Sequence, residues 1–171
     1  MKGYARIAWL MIVGMGVLLI DFLTKAYIYN LLLLIEDFSS GYPYGGIGLF
    51  KNFFGIEGSI SLAINRGAAW GIFSEFQLIL LVIRILVILG LVVYLCFFNK
   101  NRGMGFPFVL IISGAIGNVV DYFLYGYVID FIHFKFWGYA FPVFNIADSV
   151  ITIGVIWLFF VAFLNPTFRN S

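Results

Sequence analysis

The chain has 171 residues, of which 63% are apolar and only 11% charged, with a net charge of +2. A soluble globular domain carries about 25% charged residues, so the composition excludes an ordinary soluble domain and points to an integral membrane protein. The cations are scattered rather than patched, which argues against nucleic-acid binding. The single cysteine, Cys96, excludes an internal disulfide.

At the N-terminus, Lys2 and Arg6 precede an apolar run from Ile7 to Ile20. The run has the look of a signal peptide, but no small-residue cleavage site follows and apolar character resumes after Lys25. It reads as a retained first span. A helix rises about 1.5 Å per residue, so a crossing needs roughly 20 residues. Four segments meet that length: residues 7–33, 76–98, 106–127 and 147–164. No repeat or low-complexity tract interrupts them. The expectation is an all-α membrane protein, one integral membrane domain over residues 1–171.

Between the first two spans, "GSISLAIN" (residues 58–65) alternates in strand fashion after several glycines. It predicts a small sheet. Next, "NRGAAWG" (residues 65–71) predicts a tight turn into the second span. Lys2, Arg6, Lys100, Arg102 and Arg169 flank the spans on one side, in short segments. The positive-inside rule then puts both termini and the 99–103 loop in the cytoplasm, and the 34–75 and 128–146 loops outside.

With that topology the polar residues gather at one depth, near the outer interface. Asp21 and Lys25 stand one turn apart in the first span, an arrangement suited to an intrahelical pair. Asn118 and Asp121 share a face of the third span, beside the small residues "SGAIG" (113–117), and suit interhelical hydrogen bonds. Asp130 lies nine residues past Asp121, and Gly126 is a plausible break, so Asp130 is expected just beyond the helix end. "NIAD" (145–148) fits a cap at Asn145 with Asp148 in the first turn of the fourth span. Arg84, inside the second span, has no explanation in the sequence. His133 is the lone histidine and is expected at the interface. With no H-E-x-x-H and one histidine, a zinc site lacks ligands, and no G-x-S-x-G elbow is present.

Ionisable residues within a membrane mark a functional site by default. Two carboxylates sharing a site cannot both ionise easily, so one stays protonated near neutrality. The ionised one takes a proton from water while the other polarises a carbonyl, chemistry that needs no cofactor. The same pair could instead relay protons in a proton- or ion-coupled transporter, although no repeated halves are visible. A structural membrane subunit, with polar groups used only for packing and caps, is the third alternative.

The chain resembles the lipoprotein signal peptidase (signal peptidase II) family along nearly its whole length. The resemblance rests on "DFLTK" (21–25), "NRGAAWGIFS" (65–74), "GAIGNVVDYFLYGYVIDF" (114–131) and "FNIADSVITIG" (144–154). It implies a four-transmembrane-helix bundle with a small extracytoplasmic β-cradle, here about residues 41–70, in the bacterial cytoplasmic (inner) membrane. It implies an intramembrane aspartic endopeptidase that cleaves prolipoproteins before a diacylglyceryl-modified cysteine, with membrane lipids as surroundings, no metal and no cofactor. The catalytic pair is then Asp130 and Asp148, with the active site near the outer leaflet. Asp21, Lys25, Asn65, Gly67, Asn118, Asp121 and Asn145 match positions that bind substrate or support the site. Inhibition by globomycin-type cyclic peptides is also implied. Two departures stand out. Tyr122 occupies a position where the family has arginine, a role Arg66 could take over. Residues 36–46 match no family motif and are expected to form an extra loop.

Overall fold

The computed structural model describes residues 3–33, 46–67, 72–99 and 101–164. Apart from Gly46, the expected 36–46 loop lies outside these, as do Ala68–Gly71 of the turn into the second span. Lys2, Lys100 and Arg169, three of the cations from which orientation is read, lie outside them too.

In hydrocarbon every backbone N–H and C=O must find a partner within the protein, and a helix does this within one segment. The four apolar runs accordingly form helices α1 (Gly3–Leu33), α2 (Gln77–Val93), α3 (Gly105–Tyr125) and α4 (Ile146–Leu164), with a π-helical turn at Tyr94–Phe98 extending α2. All four are long and apolar enough to cross a membrane. α3 is the most buried of them. It ends two residues earlier than the apolar run predicts. Gly126 takes φ 78° and its N–H returns to the Tyr122 carbonyl at 2.9 Å, a left-handed C-terminal stop for which glycine is suited.

The sheet is antiparallel, four-stranded and ordered β1-β2-β3-β4: β1 Ile47–Phe53, β2 Ile56–Asn65, β3 Val128–Phe136 and β4 Tyr139–Ala140. β2 covers the alternating 58–65 stretch, and β1 lies within the region of about residues 41–70 expected to form the sheet. β3 and β4 carry the sheet beyond the expected region of about residues 41–70, since half the strands come from the segment between α3 and α4. The reason is burial. "VIDFIHFKF" is buried along most of its length, so it lacks the half-exposed alternation that marks a strand and reads as trailing apolar sequence. β2 and β3 pair through Ile64↔Ile129 and Ala63↔Asp130, with an irregularity between Ile60 and Ala63.

The chain divides into two compact units. The first comprises residues 1–21, 82–119 and 146–171. Here α3 and α4 pack closely. A Cβ on Gly114 would stand 2.6 Å from the Ala147 carbonyl, and one on Gly154 would stand 2.9 Å from that of Pro107. Glycine at these sites lets the backbones approach, as the small-residue run predicts. Phe106 joins three helices, with its ring 5.4 Å from Trp9 and 5.0 Å from Trp157. The second unit comprises residues 22–81 and 120–145. It contains the whole sheet, with Val128, Ile129 and Phe131 in its core.

Candidate functional site

In the second unit, Asp130 sits on β3, 2% exposed. β3 begins just past the α3 stop, as the Gly126 break implies. Both carboxylate oxygens accept side-chain amides: Oδ2 from Asn65 Nδ2 at 2.9 Å and Oδ1 from Asn145 Nδ2 at 2.7 Å. Asn65 ends β2. Its own Oδ1 accepts the Gly67 N–H at 3.0 Å, which settles which end of the amide faces Asp130. That gives the "N-x-G" spacing a physical role, with Gly67 orienting Asn65 and Asn65 orienting Asp130.

The peptide before Asp130 is gripped on both sides. Ile129 N–H donates to Asp121 Oδ2 at 3.2 Å, and Ile129 C=O accepts from Asn145 Nδ2 at 3.2 Å. Asp121 and Asn145 thus satisfy an edge of β3 that would otherwise carry buried unpaired backbone groups. Ile129 itself is 0% exposed. The cluster also holds an ion pair, with Lys25 Nζ 2.8 Å from Asp121 Oδ2 and both side chains nearly inaccessible. Lys25 therefore serves Asp121 on α3, a partner that one-turn spacing along α1 does not reveal.

In the first unit, Asp148 lies in the first turn of α4, as expected, and is half-buried. Its Oδ1 accepts Asn118 Nδ2 at 2.8 Å, an interhelical bond between α3 and α4. Asp21 Oδ1 accepts the Ala147 N–H at 2.8 Å. A first-turn amide of a helix has no intrahelical acceptor, and a carboxylate there is favoured by the helix dipole. Asp21 on α1 therefore caps α4. Asn145, the residue before α4 that the sequence reads as its cap, directs its side-chain nitrogen to Asp130 and Ile129. Gly117 makes room for Asp21, because a Cβ there would stand 2.6 Å from Asp21 Oδ2.

All nine residues singled out in the sequence take part in these two networks. One polar cluster was not foreseen. His133, expected at the interface, is 1% exposed within the sheet. Its Nδ1 is 3.4 Å from Ser59 Oγ, which is 3.1 Å from Ser61 Oγ. Its burial follows from β3, whose inward face His133 occupies. Burial, then the nearby Lys135 charge, holds the His133 imidazole below its ordinary pKa of 6.5. Arg84 is half-buried on α2. Tyr122 is half-buried, its ring edge-on to Phe123. Among the described residues no group of three or more His, Cys, Asp or Glu side chains is placed to hold a metal ion.

The family model for signal peptidase (SPase) II matches residues 13–164. A lipoprotein signal peptidase of Clostridium tetani is 41% identical over 152 residues, 87% of this chain and 88% of that protein. One from Chlamydia pneumoniae is 44% identical over 111 residues, 64% of this chain and 66% of that protein. A solved bacterial membrane enzyme, determined in meso at 2.3 Å resolution, superposes with a TM-score of 0.71 at 34% identity, covering 96% of this chain and 93% of its own. With the family pattern matched along most of its length and its polar motifs assembled into hydrogen-bonded networks, the chain belongs to the signal peptidase II family.

Proposed function

We propose that this protein is an intramembrane aspartic endopeptidase that removes the signal peptide of diacylglyceryl-modified prolipoproteins, cutting before the lipidated cysteine. Membership of the signal peptidase II family implies a peptidase. The aspartic mechanism is our reading of the two carboxylates Asp130 and Asp148. The observation that carries it is the clamping of Asp130: a buried carboxylate with an amide on each oxygen and its backbone held from both sides. So much rigid support around one costly group suits a reacting group better than a packing contact.

One carboxylate of the pair is ionised and takes a proton from the attacking water. The other is protonated and donates to the scissile carbonyl oxygen as the tetrahedral intermediate forms. The proton then passes to the leaving amine as the C–N bond breaks. Asn65, Asn145 and Asn118 hold the carboxylates in orientation, and Gly67, Asp121, Lys25 and Asp21 hold their supports. The site is assigned to the outer leaflet of a bacterial cytoplasmic membrane, with both termini in the cytoplasm. Membrane lipids surround it, and globomycin-type cyclic peptides are expected to block it.

The test is a gel-shift assay with purified protein and a lipidated prolipoprotein. Asp130→Asn and Asp148→Asn should each abolish cleavage while the protein stays folded and inserted. Near wild-type turnover by either variant would overturn the pairing.

A further inference from the structure

Two tight hairpins share an unusual choice of residue. Phe53↔Ile56 closes the β1–β2 turn around Phe54–Gly55, and Phe136↔Tyr139 closes the β3–β4 turn around Trp137–Gly138. Both central residues of each turn have positive φ: Phe54 54° and Gly55 83°, Trp137 47° and Gly138 89°. Two-residue turns of this kind favour Asn, Asp or Gly at the first position, because a bulky side chain strains there. Here both turns carry a large aromatic instead, and strain of this sort is a pointer to function.

The side chains are left largely uncovered. Phe54 is 82% exposed and Trp137 78%. Phe53 and Tyr139 beside them are exposed as well. The two turns lie side by side, with Trp137 N–H donating to the Gly55 carbonyl at 2.8 Å. Phe53 and Phe54 meet edge to face at 4.9 Å, so the aromatics form one patch at the sheet's tip. Lys51 on β1 is exposed next to it.

We propose that this tip is a lipid-interface anchor: Phe53, Phe54, Trp137 and Tyr139 insert among lipid headgroups and the adjoining acyl carbons, with Lys51 beside anionic headgroups. Amphipathic aromatic rings concentrate at the boundary between hydrocarbon and water, and a lysine next to them adds attraction to anionic lipid. Among the described residues are four helices suited to crossing a bilayer, so a lipid surface is the protein's constant neighbour. The anchor goes beyond the proteolytic reading and does not rest on it.

The test uses the full chain in lipid nanodiscs. A small environment-sensitive fluorophore is attached to a Phe54→Cys variant that also carries Cys96→Ser. Lipids brominated near the carbonyl end of their acyl chains should quench the label strongly, and aqueous iodide should quench it weakly. Free quenching by iodide with none by brominated lipid would overturn the proposal. Quenching by neither would also overturn it, since the tip would then be covered by protein. A label-free check guards against disturbance of the turn. Trp137→Phe should remove a component of tryptophan emission that brominated lipid quenches, and an unchanged lipid-quenched fraction would count against the anchor. Finally, Phe54→Asn and Trp137→Asn should leave thermal stability in detergent equal or higher, since asparagine suits the turn. A marked loss would show that the aromatics serve folding instead.

Discussion

Asn145 donates one side-chain nitrogen to two acceptors, Asp130 Oδ1 at 2.7 Å and the Ile129 carbonyl at 3.2 Å. It is itself 0% exposed. Sequence alone casts Asn145 as the cap of α4, a role that serine could share. The observed bonds need a donor that reaches across to β3, and a serine hydroxyl stops short. Asn145→Ala and Asn145→Ser should therefore lose turnover to a similar, severe degree. Each should also cost about 1–3 kcal/mol of stability, from acceptors left buried without a donor. The comparison is turnover of both variants at matched expression. Recovery of most activity by serine would make capping the main role.

The Lys25–Asp121 pair is buried, so its two halves are not independent. Removing the cation alone leaves a carboxylate without its charge partner in a poorly solvated place. Lys25→Met should destabilise by about 3–5 kcal/mol. Asp121→Asn keeps an oxygen for the Ile129 amide and loses only the charge. Combined with Lys25→Met it should be less destabilising than the sum of the single changes. Denaturation of the four proteins in detergent gives the coupling, and strict additivity would contradict a buried pair.

The spans were legible because apolar run length is a one-dimensional property. Gly126 was legible as a break for a similar reason, since glycine is the usual left-handed stop. What could not be read is which residues meet across the chain. Asp21 has Lys25 one turn away, and its Oδ1 also meets the start of α4, 126 residues on. Lys25 pairs with a residue on α3. The second half of the sheet was hidden because a buried strand and the end of an apolar helix share one composition. With it went the pairing that sets Asn65 beside Asp130 and buries His133 against Ser59. The polar motifs thus mark the participating residues, while the register of β2 on β3 determines their partners.

The glycines of the helices divide by what a methyl group would meet. A Cβ on Gly114 would collide with Ala147, Ile151 and Val150, each within 2.9 Å. Gly114→Val should cost at least about 1–3 kcal/mol by forcing α3 and α4 apart. Gly16 and Gly90 have nothing within 4 Å. Gly16→Ala and Gly90→Ala should be neutral or gain up to about 1 kcal/mol from helix propensity. Thermal midpoints in detergent separate the two classes. Equal losses at Gly90 and Gly114 would show that close packing is not what the α3 glycine provides.

His133 makes the stability of the sheet depend on pH. Burial and the Lys135 charge hold the folded imidazole below its ordinary value of 6.5. The unfolded chain therefore takes up this proton at a higher pH than the folded one. Stability from the neutral ring is fully present above about pH 6.5 and is lost as pH falls through that value toward the lower folded pKa. Ser59 Oγ, 3.4 Å from Nδ1, offers a hydroxyl but no carboxylate to balance an imidazolium. Glu57, the acid on the neighbouring strand, stands 3.9 Å from Lys135 and is occupied with that cation. His133→Gln keeps polar atoms in the same pocket and removes the titration. Between about pH 7 and pH 5 the thermal midpoint of the wild type should fall further than that of the variant. Other titrating groups contribute equally to both curves, so the difference between them isolates the histidine. Parallel curves would mean that the ring takes its proton as readily in the folded sheet as in the open chain.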